Sequence, residues 1–154
     1  MRLLHNLLSG FICMALMLAS AFAGTAQAGN TLVTKPSKYS VSETIDRIER
    51  AITSKGMQIF IRIDHGGEAK KAGLALRPTE LLIFGNPKGG TALMVARPTA
   101  AIDLPMKALA WEDSEGKVWL TYNAPELFQE RHNVSPELTS RLNPVGAVLE
   151  QALE

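Results

Sequence analysis

Cysteine is all but missing from this chain. The one cysteine, Cys13, lies in the apolar N-terminal stretch, so the rest of the chain has no disulfide, no thiol redox chemistry and no cysteine-ligated zinc. An excess of either charge is missing too: 16 Lys and Arg stand against 15 Asp and Glu. These charges are interspersed, as in Asp46-Arg47-Ile48-Glu49-Arg50. A nucleic-acid surface draws its affinity from clustered Lys and Arg, and no such block is present. Internal repeats and low-complexity linkers are also lacking, which argues for one domain. No nucleophile elbow occurs, and Ser114, Ser135 and Ser140 fall in turn or cap settings, so no Ser-His-Asp order can be argued. There is no haem-attachment motif. Met57, Met94 and Met106 read as core filler before they read as haem ligands.

What the chain does have begins with a leader. Arg2 supplies a positive start, an apolar run extends from Leu3 through Phe22, and Ala26-Gln27-Ala28 places small residues where a signal peptidase reads them. The expectation is cleavage after Ala28, with Ala21-Phe22-Ala23 as a second possible site, and a mature protein exported to the periplasm. A membrane anchor needs about 20 apolar residues, and the run is nearly that long. The small-residue exit, the early polar interruptions and the absence of a basic cluster after it favour cleavage. No stable membrane anchor is then expected. Removing the leader takes away Arg2 and no acid, leaving the charges balanced over residues 29–154, the expected single domain.

The pattern of apolar residues lays out the elements. Thr31 to Thr34 reads as a strand ended by Pro36. Ser40 and Glu43 form a capping-box signal ahead of Val41, Ile45, Ile48 and Ile52 on one helical face, with Gly56 as the stop. Met57 to Asp64 alternates, placing Met57, Ile59, Ile61 and Ile63 on one strand face. Glu68 to Gly73 reads as a short helix, Glu80 to Phe84 as a strand apolar on both faces, and Thr91 to Ala96 as a helix stopped by Pro98. Lys107–Glu112 and Lys117–Tyr122 form a hairpin around Asp113-Ser114-Glu115-Gly116. Pro125 and Pro136 each open a helix, and Asn143-Pro144 kinks or breaks the last one. The order β-α-β-(α)-β-α-β-β-α-α predicts an α+β fold: an antiparallel or mixed sheet with helices gathered on one side.

Several blocks resemble one bacterial family, the domain-of-unknown-function 302 family. The stretch Leu76 to Met94, with Phe84-Gly85-Asn86-Pro87-Lys88-Gly89-Gly90-Thr91 at its heart, is similar to that family's signature. So are Asp64-His65 with Ala69 to Leu74, the Ala101 to Lys107 segment, the Trp111-Glu112-Asp113 and Gly116 to Asn123 hairpin, and Arg131-His132. The likeness runs from about Val33 to His132 and fades in the helical tail over 135–154. Family members commonly carry proline after Gly-Thr, where this chain has Ala92. The resemblance implies a topology similar to the TATA-binding-protein-like, or helix-grip-like, group, and often a homodimer. It implies no agreed activity and no cofactor.

The candidate site residues carry alternative readings. Gly85 to Thr91 invites comparison with a phosphate loop, but the lysine that should follow the second glycine is replaced by Thr91. What remains is either an anion cradle of Gly89, Gly90 and Thr91 amides or a tight strand-to-helix turn needing φ > 0. His65 ends a strand beside two glycines, suited to general acid/base work or metal binding, or to organising the turn through a backbone bond. His132 follows Arg131, where a helix C-terminus favours positive charge without any function. A metal pair of His65 and His132 with Glu112 or Asp113 lacks any ligand spacing to support it. Arg77 needs a carboxylate, and Glu112 or Asp64 can supply one. Trp111 and Trp119 are placed to pair across strands.

The leading expectation is an exported, non-catalytic binding or accessory domain, dimeric, holding a small ligand between helix and sheet. Its pocket draws on His65, Asn86, Lys88 and Tyr122. The alternatives are an enzyme using His65 as acid/base with Glu112 as its partner, and a purely structural protein-interaction dimer.

Overall fold

Every strand pair in the computed structural model is antiparallel. The structure describes residues 31–154; the expected leader and its cleavage site lie outside the described residues. Five strands, β1 (Leu32–Ser37), β2 (Gln58–Asp64), β3 (Thr79–Gly85), β4 (Met106–Glu112) and β5 (Val118–Asn123), lie in the order β1-β5-β4-β3-β2. The helices are α1 (Val41–Ser54), α2 (His65–Lys71), α3 (Pro87–Ala96), α4 (Glu126–His132), α5 (Pro136–Thr139) and α6 (Asn143–Gln151). Short 3-10 turns cover Pro98–Ile102 and Ser140–Leu142. This is an α+β fold.

The first helix forms where its end signals place it. The Ser40 hydroxyl accepts the Glu43 amide at 3.2 Å, supplying one of the bonds a helix start lacks, and Gly56 at φ 72° turns the chain away. Val41, Ile45, Ile48 and Ile52 are buried as the periodicity predicts. They share one core with Leu82 and Phe84 of β3, Ala108 and Ala110 of β4, and Leu120 of β5. The small side chains of Ala108 and Ala110 leave room for the helix above them. Ile45, Ile48 and Ile52 keep no exposure at all, and each such burial contributes about 1.5–3 kcal/mol. Val145, Val148 and Leu149 of α6 join the same core.

The opposite face of the sheet is apolar and only half covered. Leu81, Ile83, Leu109, Trp111 and Trp119 alternate with the core residues and are half-buried, while Ile61 remains 49% exposed. Trp111 and Trp119 sit directly opposite one another with ring centroids 6.4 Å apart, stacked at 27°. Their indole N–H groups donate to Thr121 Oγ1 and Asp113 Oδ2. Asp113 also accepts the amides of Glu115 and Lys117. The Trp119 bond, then these amides, hold its carboxyl below the ordinary carboxylate range.

Two strands depart from the sequence reading. β1 continues through Pro36, because an edge strand needs hydrogen bonds on one side only. In β2 the apolar face does not run unbroken from Met57 to Ile63. Ile59 pairs with Phe84 and Ile61 with Ile83, so Phe60 is a bulge. A one-residue slip sends the following side chains to the other face. Ile61 thereby turns outward and Arg62 turns toward α1.

There Arg62 donates to Glu80 through Nε at 2.7 Å, to Asp46 at 2.5 Å and to Ser42 Oγ at 2.9 Å. Burial pulls the guanidinium down, but the two carboxylates outweigh it and hold it above its ordinary value. The bulge therefore exchanges an apolar contact for a charged clamp between sheet and helix.

Candidate functional site

Segments far apart in the chain meet where β3 ends and β4 begins, and a cleft of about 700 Å³ lies between them. One wall is the start of α3. The Asn86 side chain accepts the Lys88 amide at 3.0 Å, and Pro87 takes the first helical position, where its missing N–H costs nothing. The helix thus begins at Pro87 rather than at Thr91, and Gly89 and Gly90 lie inside its first turn. Among the described glycines, positive φ occurs at Gly56, Gly73 and Gly116, so the Gly85–Gly90 turn does not depend on it. The amides of Gly89 and Gly90 both donate to the Asn86 carbonyl at 3.0 Å. They are spent on the helix and make no anion cradle.

The other walls come from Met57 and Phe60 at the bulged strand, from the Leu104–Pro105–Met106 stretch with its cis peptide bond at Pro105, and from Leu142, Val145 and Val148 beside α6. Met57, Met94 and Met106 all line this one cleft. Thioether side chains have several low-energy rotamers and fit irregular shapes, which makes such a wall adaptable.

Two cations, Lys55 and Arg141, stand among the lining residues, with no carboxylate. Both are exposed, and neither side chain has a hydrogen-bond or ion-pair partner among the described residues. Lys55 caps the C-terminus of α1, whose carbonyl end carries partial negative charge.

Of the residues expected to form a pocket, Asn86 lines the cleft and Lys88 lies next to it in the same turn, exposed. Tyr122 is buried on the core face of β5, donating its hydroxyl to Glu150 at 2.8 Å. Burial first, then that bond, hold the phenol far above its ordinary range. His65 lies at the far end of the sheet, exposed at the start of α2. Its neighbours have a structural account. The Asp64 carboxylate accepts the Gly67 amide at 2.8 Å, and a Cβ on Gly67 would fall 2.3 Å from Asp64 Oδ2. Glu112 gives its carboxylate to Arg77 at 3.3 Å rather than to His65, and Arg77 itself is exposed.

His132 is buried, with Nε2 against Asp103 Oδ2 at 2.5 Å and Nδ1 against Thr99 Oγ1 at 3.1 Å. Arg131 donates to the other Asp103 oxygen at 2.9 Å. This knot fastens α4 to the turn that leads into Leu104 and Pro105, and it leaves no ring nitrogen for a metal shared with His65. Among the described residues no group of three His, Cys, Asp or Glu side chains is placed to hold a metal.

Sequence reasoning missed Lys55 and Arg141. Lys55 reads as an ordinary helix end, and Arg141 falls in the tail where no motif draws attention to it. It also read Met57, Met94 and Met106 as core filler, whereas all three line the cleft.

Comparison with known proteins gives three findings. A family model described as "Domain of unknown function DUF302" matches residues 33–154. The chain is similar to the fluoride-specific ion channel FluC 1 of Brucella suis biovar 1 (strain 1330), 55% identical over 103 residues, or 67% of this chain and 41% of that protein. The FluC 1 of Brucella abortus biovar 1 (strain 9-941) matches at the same identity over 38% of its length. The chain thus spans about two fifths of the curated relatives it matches, and no described helix is long and apolar enough to cross a membrane. The crystal structure of an uncharacterised conserved DUF302 protein from Bacillus stearothermophilus superposes with TM-score 0.68 at 18% identity, covering 80% of this chain and 96% of that one. That likeness establishes the fold.

Proposed function

The chain belongs to the DUF302 family, and from that premise we propose that it is a small-ligand-binding domain whose site is the cleft at the start of α3. One observation carries this reading: an apolar cleft of about 700 Å³ with a few polar groups at hand. Small-molecule sites have about that size, roughly 300–1,000 Å³, and that character. Native mass spectrometry of protein purified from its own host tests it. The expected spectrum carries a mass above that of the bare chain, removed when Gly89→Leu fills the cleft. A bare spectrum, together with no uptake of any apolar probe, overturns the reading.

The same proposal places the protein in the periplasm after cleavage behind Ala28, on the layout of its first residues. N-terminal sequencing that returns Met1 from the mature protein refutes export. The proposal also includes a homodimer, formed across the half-covered face that carries Ile61, Ile83, Trp111 and Trp119.

A second reading rests on the Brucella relatives. Proteins named as fluoride-specific ion channels contain a stretch 55% identical to this one, which makes an accessory role beside membrane transport of a small anion its basis. A host lacking this protein is then more sensitive to fluoride; unchanged sensitivity removes the reading.

A further inference from the structure

We infer that the cleft takes an amphipathic anion, a molecule with an apolar body and one negatively charged head such as a carboxylate. The inference rests on the small-ligand reading and names the class of ligand for that site. Three observations carry it.

The first is charge. Lys55 and Arg141 line the cleft without a partner among the described residues, and no Asp or Glu lines it with them. The other polar side chains of this mostly apolar surface, Asn86, Thr91 and Gln151, are neutral. Unpaired cations beside such a surface are complementary to an anionic head, and a guanidinium offers a carboxylate two parallel donors.

The second is the bare wall. Glycine inside a helix is destabilising by about 1 kcal/mol relative to alanine, so a pair of them in one turn needs a reason. Positive φ is not the reason, since neither has it. Crowding is not either: a Cβ on Gly89 meets nothing within 4 Å, and one on Gly90 meets only Leu104 Cδ1, at an ordinary 3.6 Å. What the glycines do is keep side chains out of the cleft, letting an apolar body lie against the helix backbone.

The third is the remaining lining. Met57 and Met106 on the facing walls, with Met94 further along α3, supply adaptable apolar contact. A flexible chain fits such a surface better than a rigid polar ligand does. An anion without an apolar body would leave these walls unused.

The test is isothermal titration of the purified protein with dodecanoate, dodecanol and dodecyltrimethylammonium, each below its aggregation threshold. Dodecanoate is expected to bind about ten- to a hundredfold more tightly than dodecanol, the range of a charge-assisted contact. The paired variant Lys55→Met with Arg141→Met is expected to remove that preference and leave dodecanol binding in place. Both side chains are exposed, so the variant should fold. Gly89→Leu is expected to abolish binding of all three probes.

If dodecanol or the cation binds as well as dodecanoate, the anion inference falls and the small-ligand reading stands. If dodecanoate wins but the paired variant keeps the preference, the anion head is read elsewhere and this assignment falls. If no probe binds to the wild type, this inference falls, and with a bare native spectrum the site reading falls too.

Discussion

The Tyr122 hydroxyl donates to Glu150 Oε1 at 2.8 Å, tying the C-terminal end of β5 to α6. The same carboxylate holds the Lys35 ammonium at 3.2 Å through its other oxygen. The Tyr122 bond, with Lys35 behind it, keeps Glu150 below its ordinary pKa. Gly146 makes the approach possible: a Cβ there would stand 3.3 Å from the Tyr122 oxygen.

Tyr122→Phe should therefore cost about 1 kcal/mol at neutral pH, the net worth of one hydrogen bond. Glu150 is 43% exposed, so solvent screening keeps the ionic part small. The sign follows from the depressed folded pKa. The contribution is present above the ordinary glutamate pKa of about 4.3 and is lost as pH falls through the lower folded value. Urea midpoints for both proteins at pH 7 and in acid should show the gap closing. A gap that does not change with pH would contradict the assignment.

Gly67→Ala and Gly89→Ala should move stability in opposite directions. At Gly67 the added Cβ falls 2.3 Å from Asp64 Oδ2, expelling the carboxylate that caps α2 at a cost of about 1 kcal/mol. At Gly89 the new methyl group meets nothing, and alanine is the better helix former by up to about 1 kcal/mol. Thermal melts of the two variants check the pair, and a loss of stability at Gly89 would be the wrong outcome.

The two histidines should separate in the same way. His132→Ala leaves Asp103 and Thr99 without their buried partner and should destabilise by about 1–3 kcal/mol. His65→Ala removes an exposed ring and should stay within about 0.5 kcal/mol. Denaturant titration distinguishes them. A large loss at His65 would reveal a structural bond that the fold does not display.

Ile83→Lys places a charge in the middle of the half-covered face, opposite the core. The proposed homodimer predicts that the wild type sediments as a dimer and this variant as a monomer, with circular dichroism unchanged. A variant that still sediments as a dimer would move the contact to another surface.

Sequence legibility followed the range of the interactions. The helix over Val41–Ser54 was readable because its cap, its apolar stripe and its glycine stop all lie within one short window. The Trp111–Trp119 pair was readable because a four-residue loop fixes the hairpin register. The Phe60 bulge was not, since alternation continues in the residue types and only pairing with β3 reveals the slip. Asn86-Pro87 carried the start signal of α3, but the two glycines drew the reading toward a turn. The link from Asp103 to His132 bridges 29 positions, and the cleft is built from four parts of the chain. No local pattern encodes either.

The Phe60 bulge has one more consequence. An open five-stranded sheet has two free margins, and identical strands can add to such margins without end, as they do in fibres. Here one margin carries Pro36, which has no amide to offer, and the other carries a strand whose repeat is interrupted at Phe60. Both features blunt an edge as a template for a growing ladder. The proposed homodimer would then form face to face, and a two-fold contact of that kind is complete once a second copy has joined.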